Sequence, residues 1–240
     1  MKKAILKPFC LLLCVFSLWG CGQRQGGKTS ESQPTESPNH EMLSYEIGDA
    51  GVTITDCDTA AEGDLAIPAE IEGLPVTSIG DNAFAGCKSL TSIALPGGVI
   101  SIGRNAFQAC TGLTSINIPE SVTSIGSYGF INCFSLTSIT IPEGVTSIED
   151  WTFLQCGSLT SITIPEGVTS IGGRAFQSCR SLTSVTIPES VNFIEGGAFL
   201  GCDGLTSISI PQAFHSEAEA SRIGLWIWPD GFLQPDSSSN

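Results

Sequence analysis

The sequence predicts an α/β repeat fold, a solenoid of about seven rungs built from short parallel strands and helical turns, and three observations carry that prediction. Six prolines, Pro96, Pro119, Pro142, Pro165, Pro188 and Pro211, recur at a constant step of 23 residues. The same step joins Cys87, Cys110, Cys133, Cys156, Cys179 and Cys202, and also Phe84, Phe107, Phe130, Phe153, Phe176 and Phe199. Between these markers the wording repeats as VTSIGxxAFxxCxSLTSITIPEG. A fixed period of this length marks units that cannot bury their faces alone and must stack on one another.

Residues 1–20 read as an export leader. MKKAILK is a basic start and FCLLLCVFSLW an apolar core, too short for the ~20 residues that span a bilayer. The leader ends Leu18-Trp19-Gly20-Cys21, which resembles the bacterial lipobox, although Trp19 departs from the small or apolar residue usual there. The resemblance implies that Cys21 is acylated and becomes the mature N-terminus. Gly22 is not the Asp that holds lipoproteins at the inner membrane, so the expected destination is the outer membrane or cell surface. Plain cleavage and secretion, or an uncleaved anchor, are the alternatives. Residues 21–41 are rich in Gly, Ser, Gln, Pro, Thr and Glu. They have too little apolar surface to fold and form a tether of roughly 20–25 Å.

Residues 42–64 are expected to close the front of the solenoid. LSYEI and VTITD flank Gly48-Asp49-Ala50-Gly51, the pattern of a β-hairpin. The solenoid itself takes residues 65–211. LTSITIP has apolar residues at alternate positions, such as Ile139 and Ile141, so it is a strand with one buried face. Pro142 cannot donate to a ladder and ends it. VTSI is a second extended piece. AFxxC is read as a helical turn, with Phe153 and Cys156 three apart on one face. The first strand, Leu65-Ala66-Ile67-Pro68, precedes its counterpart by more than one period, so the loop around Ala69–Leu74 carries an insertion. Residues 212–240 form the rear cap and tail. Ser216 with Glu219 is a capping box for a helix over about 217–225. Trp226, Ile227, Trp228 and Phe232 are expected to cover the last rung, with Asp236–Asn240 frayed.

The spacing and wording of Leu65–Pro211 resemble the BspA-like leucine-rich-repeat family of bacterial surface proteins. Gly129 and Thr152 at the Ala position, Val185 at an Ile position and Phe193 in a Ser/Thr column depart from the unit without disturbing its pattern. The resemblance implies a leucine-rich-repeat solenoid and adhesion to host, matrix or other cells, and it supplies no catalytic residues. A parallel β-helix is the alternative fold, and the regular AFxxC turn weighs against it.

Composition narrows the partners. Net charge is −14, with 24 acidic and 10 basic residues. Lys2, Lys3 and Lys7 lie in the leader, so the remainder is still more acidic. That disfavours nucleic acid and a flat electrostatic dock on anionic lipid. The membrane is expected to be reached through the lipid alone.

The side chains that could carry chemistry are few. The six periodic cysteines are read as buried, reduced thiols, because parallel Cβ vectors on stacked rungs do not converge for a disulfide. The pairing of Cys57 is left open. The short paired spacings of zinc sites are missing. His40 and His215 are the two histidines, and no nucleophile–base spacing or phosphate loop is present, so no enzyme activity, metal or cofactor is expected. Glu120, Glu143, Glu166 and Glu189 follow four consecutive prolines and form a row. They are read as a solvated edge, with divalent-cation bridging as the alternative. Outward Ser and Thr columns are read as a solvated β face.

The informative irregularity is aromatic. The column before the Ala of AFxxC reads Asn82, Asn105, Tyr128, Trp151, Arg174, Gly197. Tyr128 and Trp151 fall on adjacent rungs, as do Ile131 and Leu154, and Phe134 lies nearby in sequence. These five form the candidate partner-binding patch for a protein or glycan ligand, or else they pack over the turn or against the tether. Two functions follow: a lipid-anchored binding or adhesion module, or a structural, self-assembling envelope protein.

Overall fold

The computed structural model describes residues 3–4, 42–227 and 233–235, with side chains from 42 to 225. The expectations for Cys21, the rest of the leader, the tether, the aromatic cover at Trp226, Ile227, Trp228 and Phe232, and the tail Asp236–Asn240 therefore lie outside the described side chains.

The chain is a β-solenoid with three hydrogen-bonded sides. One side stacks the LTSI strands in parallel: Glu62–Ala66, Ser89–Ala94 and Ser115–Asn117, then Ser138–Thr140, Ser161–Thr163, Ser184–Thr186 and Ser207–Ser209. Each aligns identical columns, so Ile139 faces Ile162 and Ile162 faces Val185. Their central residue is inward and its neighbours are exposed, as at Ser138–Thr140. The second side stacks the VTSI pieces, from Gly51–Cys57 and Leu74–Ile79 through Ser101–Ile102 and Ser124–Ile125, and again from Ser147–Ile148 to Phe193–Ile194. Regular pairing lapses once on each side, before Ser138–Thr140 on the first and before Ser147–Ile148 on the second.

The third side differs from the sequence expectation. The AFxxC segment is not a helical turn. The N–H groups of Asn82, Phe84 and Gly86 donate to the carbonyls of Arg104, Ala106 and Gln108 on the next rung, while those of Ala83, Ala85 and Cys87 donate back within their own turn. The pattern recurs: Tyr128, Phe130 and Asn132 donate to Asp150, Thr152 and Leu154. It requires left-handed backbone at two fixed places per rung, such as Asn82 (φ 61°) and Gly86 (φ 79°). The physical reason is spacing. Packed helices need 8–10 Å between axes, whereas paired strands fix the rung step near 4.8 Å. A chain of turns that bonds forward keeps the strand step. The Phe ladder confirms it, with ring centroids 5.1 to 5.5 Å apart from Phe84 to Phe199.

The extra residues of the first loop form a small hairpin, Glu70–Ile71 against the start of Leu74–Ile79. Glu72 and Gly73 both take positive φ, 53° and 75°, as a two-residue type I′ turn demands. The expected front hairpin is present as Leu43–Gly48 and Gly51–Cys57. Its second strand continues into the VTSI side. At the rear, Ser216 Oγ accepts from Glu219 N–H to start the helix Glu217–Ile223, and Gly224 (φ 90°) ends it. The carbonyls of Arg222 and Ile223 then accept from Gly197 and Phe199, in the place of a further rung. The Arg222 guanidinium also donates to Ile194 O at 2.6 Å.

The interior is one continuous column of Val, Ile, Leu, Phe and Cys. About six apolar side chains per rung contribute roughly 1.5–3 kcal/mol each before entropy is subtracted. The thiols add a directional contact. Cys110, Cys133, Cys156, Cys179 and Cys202 each donate to the carbonyl of the Phe on the preceding rung, at 3.0 to 3.2 Å. An Ala or Val could fill the space but could not donate. Burial pushes the Cys133 and Cys202 thiols up to about 12, and those of Cys110, Cys156 and Cys179 also rise. Cys87 is different: its thiol donates to Cys57 O at 3.8 Å, and the neighbouring Cys57 thiol lowers it while Cys57 itself rises.

Two outcomes follow. Alkylation of native protein near neutral pH, read by mass spectrometry, should leave Cys133 to Cys202 unlabelled until denaturation. The raised thiols are protonated in both states below about pH 9, and between pH 9 and 12 they ionise only in the unfolded chain. Thermal stability should therefore hold through neutral pH and fall as pH rises through that window. Rapid native labelling of Cys156 would contradict the first outcome, and a flat profile from pH 9 to 11 the second.

Candidate binding flank at Tyr128 and Trp151

Both rings sit on the turn side, at the first of the two left-handed positions. Tyr128 has φ 63° and Trp151 φ 62°. The same column holds Asn82, Asn105 and Gly197, residue types that tolerate this conformation, and Arg174 (φ 55°), a large side chain for which, as for the two rings, it is costly. The cost is about 1–2 kcal/mol per residue. It persists because the backbone is overdetermined: Tyr128 N–H donates to Asp150 O and Trp151 N–H to Gly173 O, both at 3.0 Å. The conformation aims the side chains away from the core, and both rings are half-buried.

The rings stack on each other with centroids 5.7 Å apart and planes 17° from parallel. Arginines close both ends. The Arg104 guanidinium lies 5.0 Å from the Tyr128 ring centre and that of Arg174 4.8 Å from the Trp151 ring centre. The four side chains make one column, with the ring faces covered, the rings half-buried and the arginines exposed. Contacts of this kind contribute about 0.5–1 kcal/mol each at exposed sites, and the aromatic pair about 0.5–1.5. They offset the backbone cost without greatly exceeding it.

Ile131 and Leu154 are half-buried in the same two turns, their N–H groups bonded back to Tyr128 O and Trp151 O. Phe134 is 48% exposed but stands beyond Cys133, at the next corner. Among the described residues no ring contact joins it to the pair. Four of the five sequence-selected residues thus share one flank and Phe134 is apart. Sequence reading missed Arg104 as part of the site. Arg174 stood in the aromatic column, one rung after Trp151, and that adjacency was its signal. Arg104 lies one place off the column and gave none.

Both rungs beneath the flank depart from the Ala of the unit. Thr152, 1% exposed, replaces the Ala of the unit and its hydroxyl donates to Glu149 O at 2.7 Å. Gly129 on the preceding rung is set by its own turn, since a Cβ there would meet Gly126 O and Ile125 Cγ2 at 3.0 Å.

The other candidates are plainer. Glu120, Glu143, Glu166 and Glu189 are all exposed, and among the described residues no three His, Cys, Asp or Glu side chains converge on a metal position. On the LTSI side the first Thr of each unit is held internally, as Thr137 Oγ1 donates to Thr114 O at 3.1 Å. A shallow groove of about 360 Å³ lies there, between Ser161, Thr163, Ser184 and Thr186, with Glu166 at its rim. The His215 ring pairs with Ile210 O at 3.0 Å and is structural. No described helix is long and apolar enough to cross a membrane.

Comparison with known proteins places the repeat. The family described as "BspA type Leucine rich repeat region" matches residues 77–206 in six copies. The chain belongs to this BspA-type leucine-rich-repeat family. Among solved structures, it is similar to the T. pallidum leucine-rich-repeat protein TpLRR, at 34% identity over 74% of this chain and 83% of that one, with a TM-score of 0.69. A leucine-rich cell surface protein from Faecalibacterium prausnitzii is 30% identical over 83% of this chain and 58% of its own, TM-score 0.56. A leucine-rich-repeat protein from Bacteroides ovatus is 28% identical over 72% of this chain, TM-score 0.50, and this chain spans 40% of it. No curated protein matches. The family accounts for the regular columns. The rings of Tyr128 and Trp151 stand where most of this chain's other rungs carry Asn or Gly.

The balance of strain and stacking is measurable. Tyr128→Asn with Trp151→Asn should leave the unfolding free energy within about 1 kcal/mol of wild type, the relieved backbone offsetting the lost stack. Trp151→Val should cost about 1–2 kcal/mol or more, because a β-branched residue disfavours the left-handed region and restores no stack. Denaturant unfolding reads both. A loss well above 2 kcal/mol in the Asn variant would show that the rings are core.

Proposed function

We propose that this chain is a binding module displayed outside the cytoplasm. Lipid on Cys21 anchors it, residues 22–41 hold the solenoid off the membrane, and a protein or glycan partner docks on the Tyr128–Trp151 flank. The observation that carries the reading is backbone strain. The chain sets two large aromatic rings, half-exposed and stacked, on left-handed backbone where most other rungs carry Asn or Gly. Strain of this sort gathers at functional sites, and Trp, Tyr and Arg are the residues that dominate binding hot spots. The basic start and short apolar run before Cys21 support the anchor, and the F. prausnitzii relative is described as a cell surface protein.

The anchor and the site are tested separately. Full-length protein should enter the detergent phase on Triton X-114 partition, and Cys21→Ser should move it to the aqueous phase. Protease treatment of intact cells should cleave the displayed solenoid, whereas sparing it would favour an internal envelope scaffold. A screen of the protein against mucins, matrix proteins and glycan arrays should return a ligand whose affinity falls at least tenfold, about 1.4 kcal/mol, in Tyr128→Asn/Trp151→Asn. Unchanged affinity would move the site to the hydroxyl groove near Glu166.

A further inference from the structure

Arg104 and Arg174 are the unusual charges of this molecule. The chain carries 24 acidic against 10 basic residues, so an exposed arginine has many possible carboxylate partners. Arg180 takes Asp203 and Arg222 takes Glu219. Among the described residues, neither the Arg104 nor the Arg174 side chain makes an ion pair or a hydrogen bond. Both are exposed and both stand over a ring of the stack.

Three acidic side chains on the neighbouring turns are engaged elsewhere, and Glu195, beside Gly173, forms no ion pair with Arg174. Asp81 Oδ1 accepts from Arg104 N–H at 2.7 Å, and Asp150 Oδ1 accepts from Gly173 N–H at 2.7 Å. Glu149 Oε1 accepts from Ser147 Oγ at 2.5 Å. The guanidiniums are thus held against the rings, and among the described residues their N–H groups have no acceptor. A stacked guanidinium is preorganised for bidentate pairing with a carboxylate, at a lower entropic cost than a free side chain.

We infer that the Arg104–Tyr128–Trp151–Arg174 column is a receptor for an extended acidic protein segment, carrying one carboxylate for each arginine and an apolar side chain between them. This rests on the flank being the binding site and adds the chemistry of the partner. Geometry selects the register. The arginines stand three rungs apart, about 14 Å at the usual strand spacing. In an extended segment, residues i and i+4 are about 13 Å apart and project to the same face, with i+2 between them. Carboxylates at i and i+4 reach the two arginines, and an apolar i+2 meets the half-buried rings of Tyr128 and Trp151, with Ile131 and Leu154 alongside. A polysaccharide fits less well. Sugar rings stack on aromatic faces, and here the outer ring faces are covered by the guanidiniums and the inner ones by each other.

The test uses a fluorescein-labelled synthetic peptide of repeated Glu-Ser-Leu-Ser, titrated with the protein at low salt and followed by anisotropy. A Gln-Ser-Leu-Ser peptide and an acidic polysaccharide, polygalacturonate, are titrated in parallel. Saturable binding of the Glu peptide is expected, at least tenfold tighter than the Gln peptide. Arg104→Gln/Arg174→Gln should weaken it at least tenfold. Lys88→Gln/Arg180→Gln, which removes the same charge elsewhere, should leave it unchanged. No binding of the Glu peptide, equal loss in the two charge variants, or tighter binding of polygalacturonate would overturn the inference. If Tyr128→Asn/Trp151→Asn abolishes binding while Arg104→Gln/Arg174→Gln does not, the flank stands as the site and the acidic-segment inference fails. If neither variant changes binding, both fail.

Discussion

Every other feature of this molecule depends on the forward hydrogen bonds of the turn. Each AFxxC segment sends alternate N–H groups to the next rung and returns the others to itself. That arrangement keeps the turn side at the step set by the strands, which is why six Phe rings stack at 5.1 to 5.5 Å instead of drifting apart. The aligned Phe carbonyls then receive the thiols of the following rung. Helices on this side would need about twice the room.

The same bonds create the candidate site. Alternation between forward and backward N–H groups fixes left-handed backbone at two positions in each turn. Those positions point side chains outward, and Asn and Gly satisfy them at little cost. Where the chain installs Tyr128 and Trp151 instead, it gains two rings in register with no freedom to turn inward. Arg104 and Arg174 then cover the open faces. The candidate site therefore follows from the repeat with four residues changed.

Much of this was legible in the sequence because repetition averages out local ambiguity. The period, the strands, the buried Phe and Cys columns, the front hairpin and the helix started by Ser216 and Glu219 could all be placed from pattern and turn chemistry. The turn could not. Phe153 and Cys156 three apart fit a helical face and a bonded turn equally well, and periodicity alone does not separate them. The decisive signal was Asn82 and Asn105 in one column with Gly86 and Asn132 four places later, residues that accept positive φ. The aromatic pair stood out as a break in a column. The capping arginines did not, because Arg104 reaches over from a neighbouring column, and such a reach depends on side-chain direction more than on spacing.

Native-state hydrogen exchange, read by NMR on the amides of Tyr128, Phe130 and Asn132 beside those of Ser138–Thr140, addresses the forward-bonded turn most directly. If the turn is a third ladder, these turn amides exchange only through opening of the stack, with free energies equal to those of the neighbouring strand amides. Exchange at loop rates, with protection confined to the strands, would contradict it.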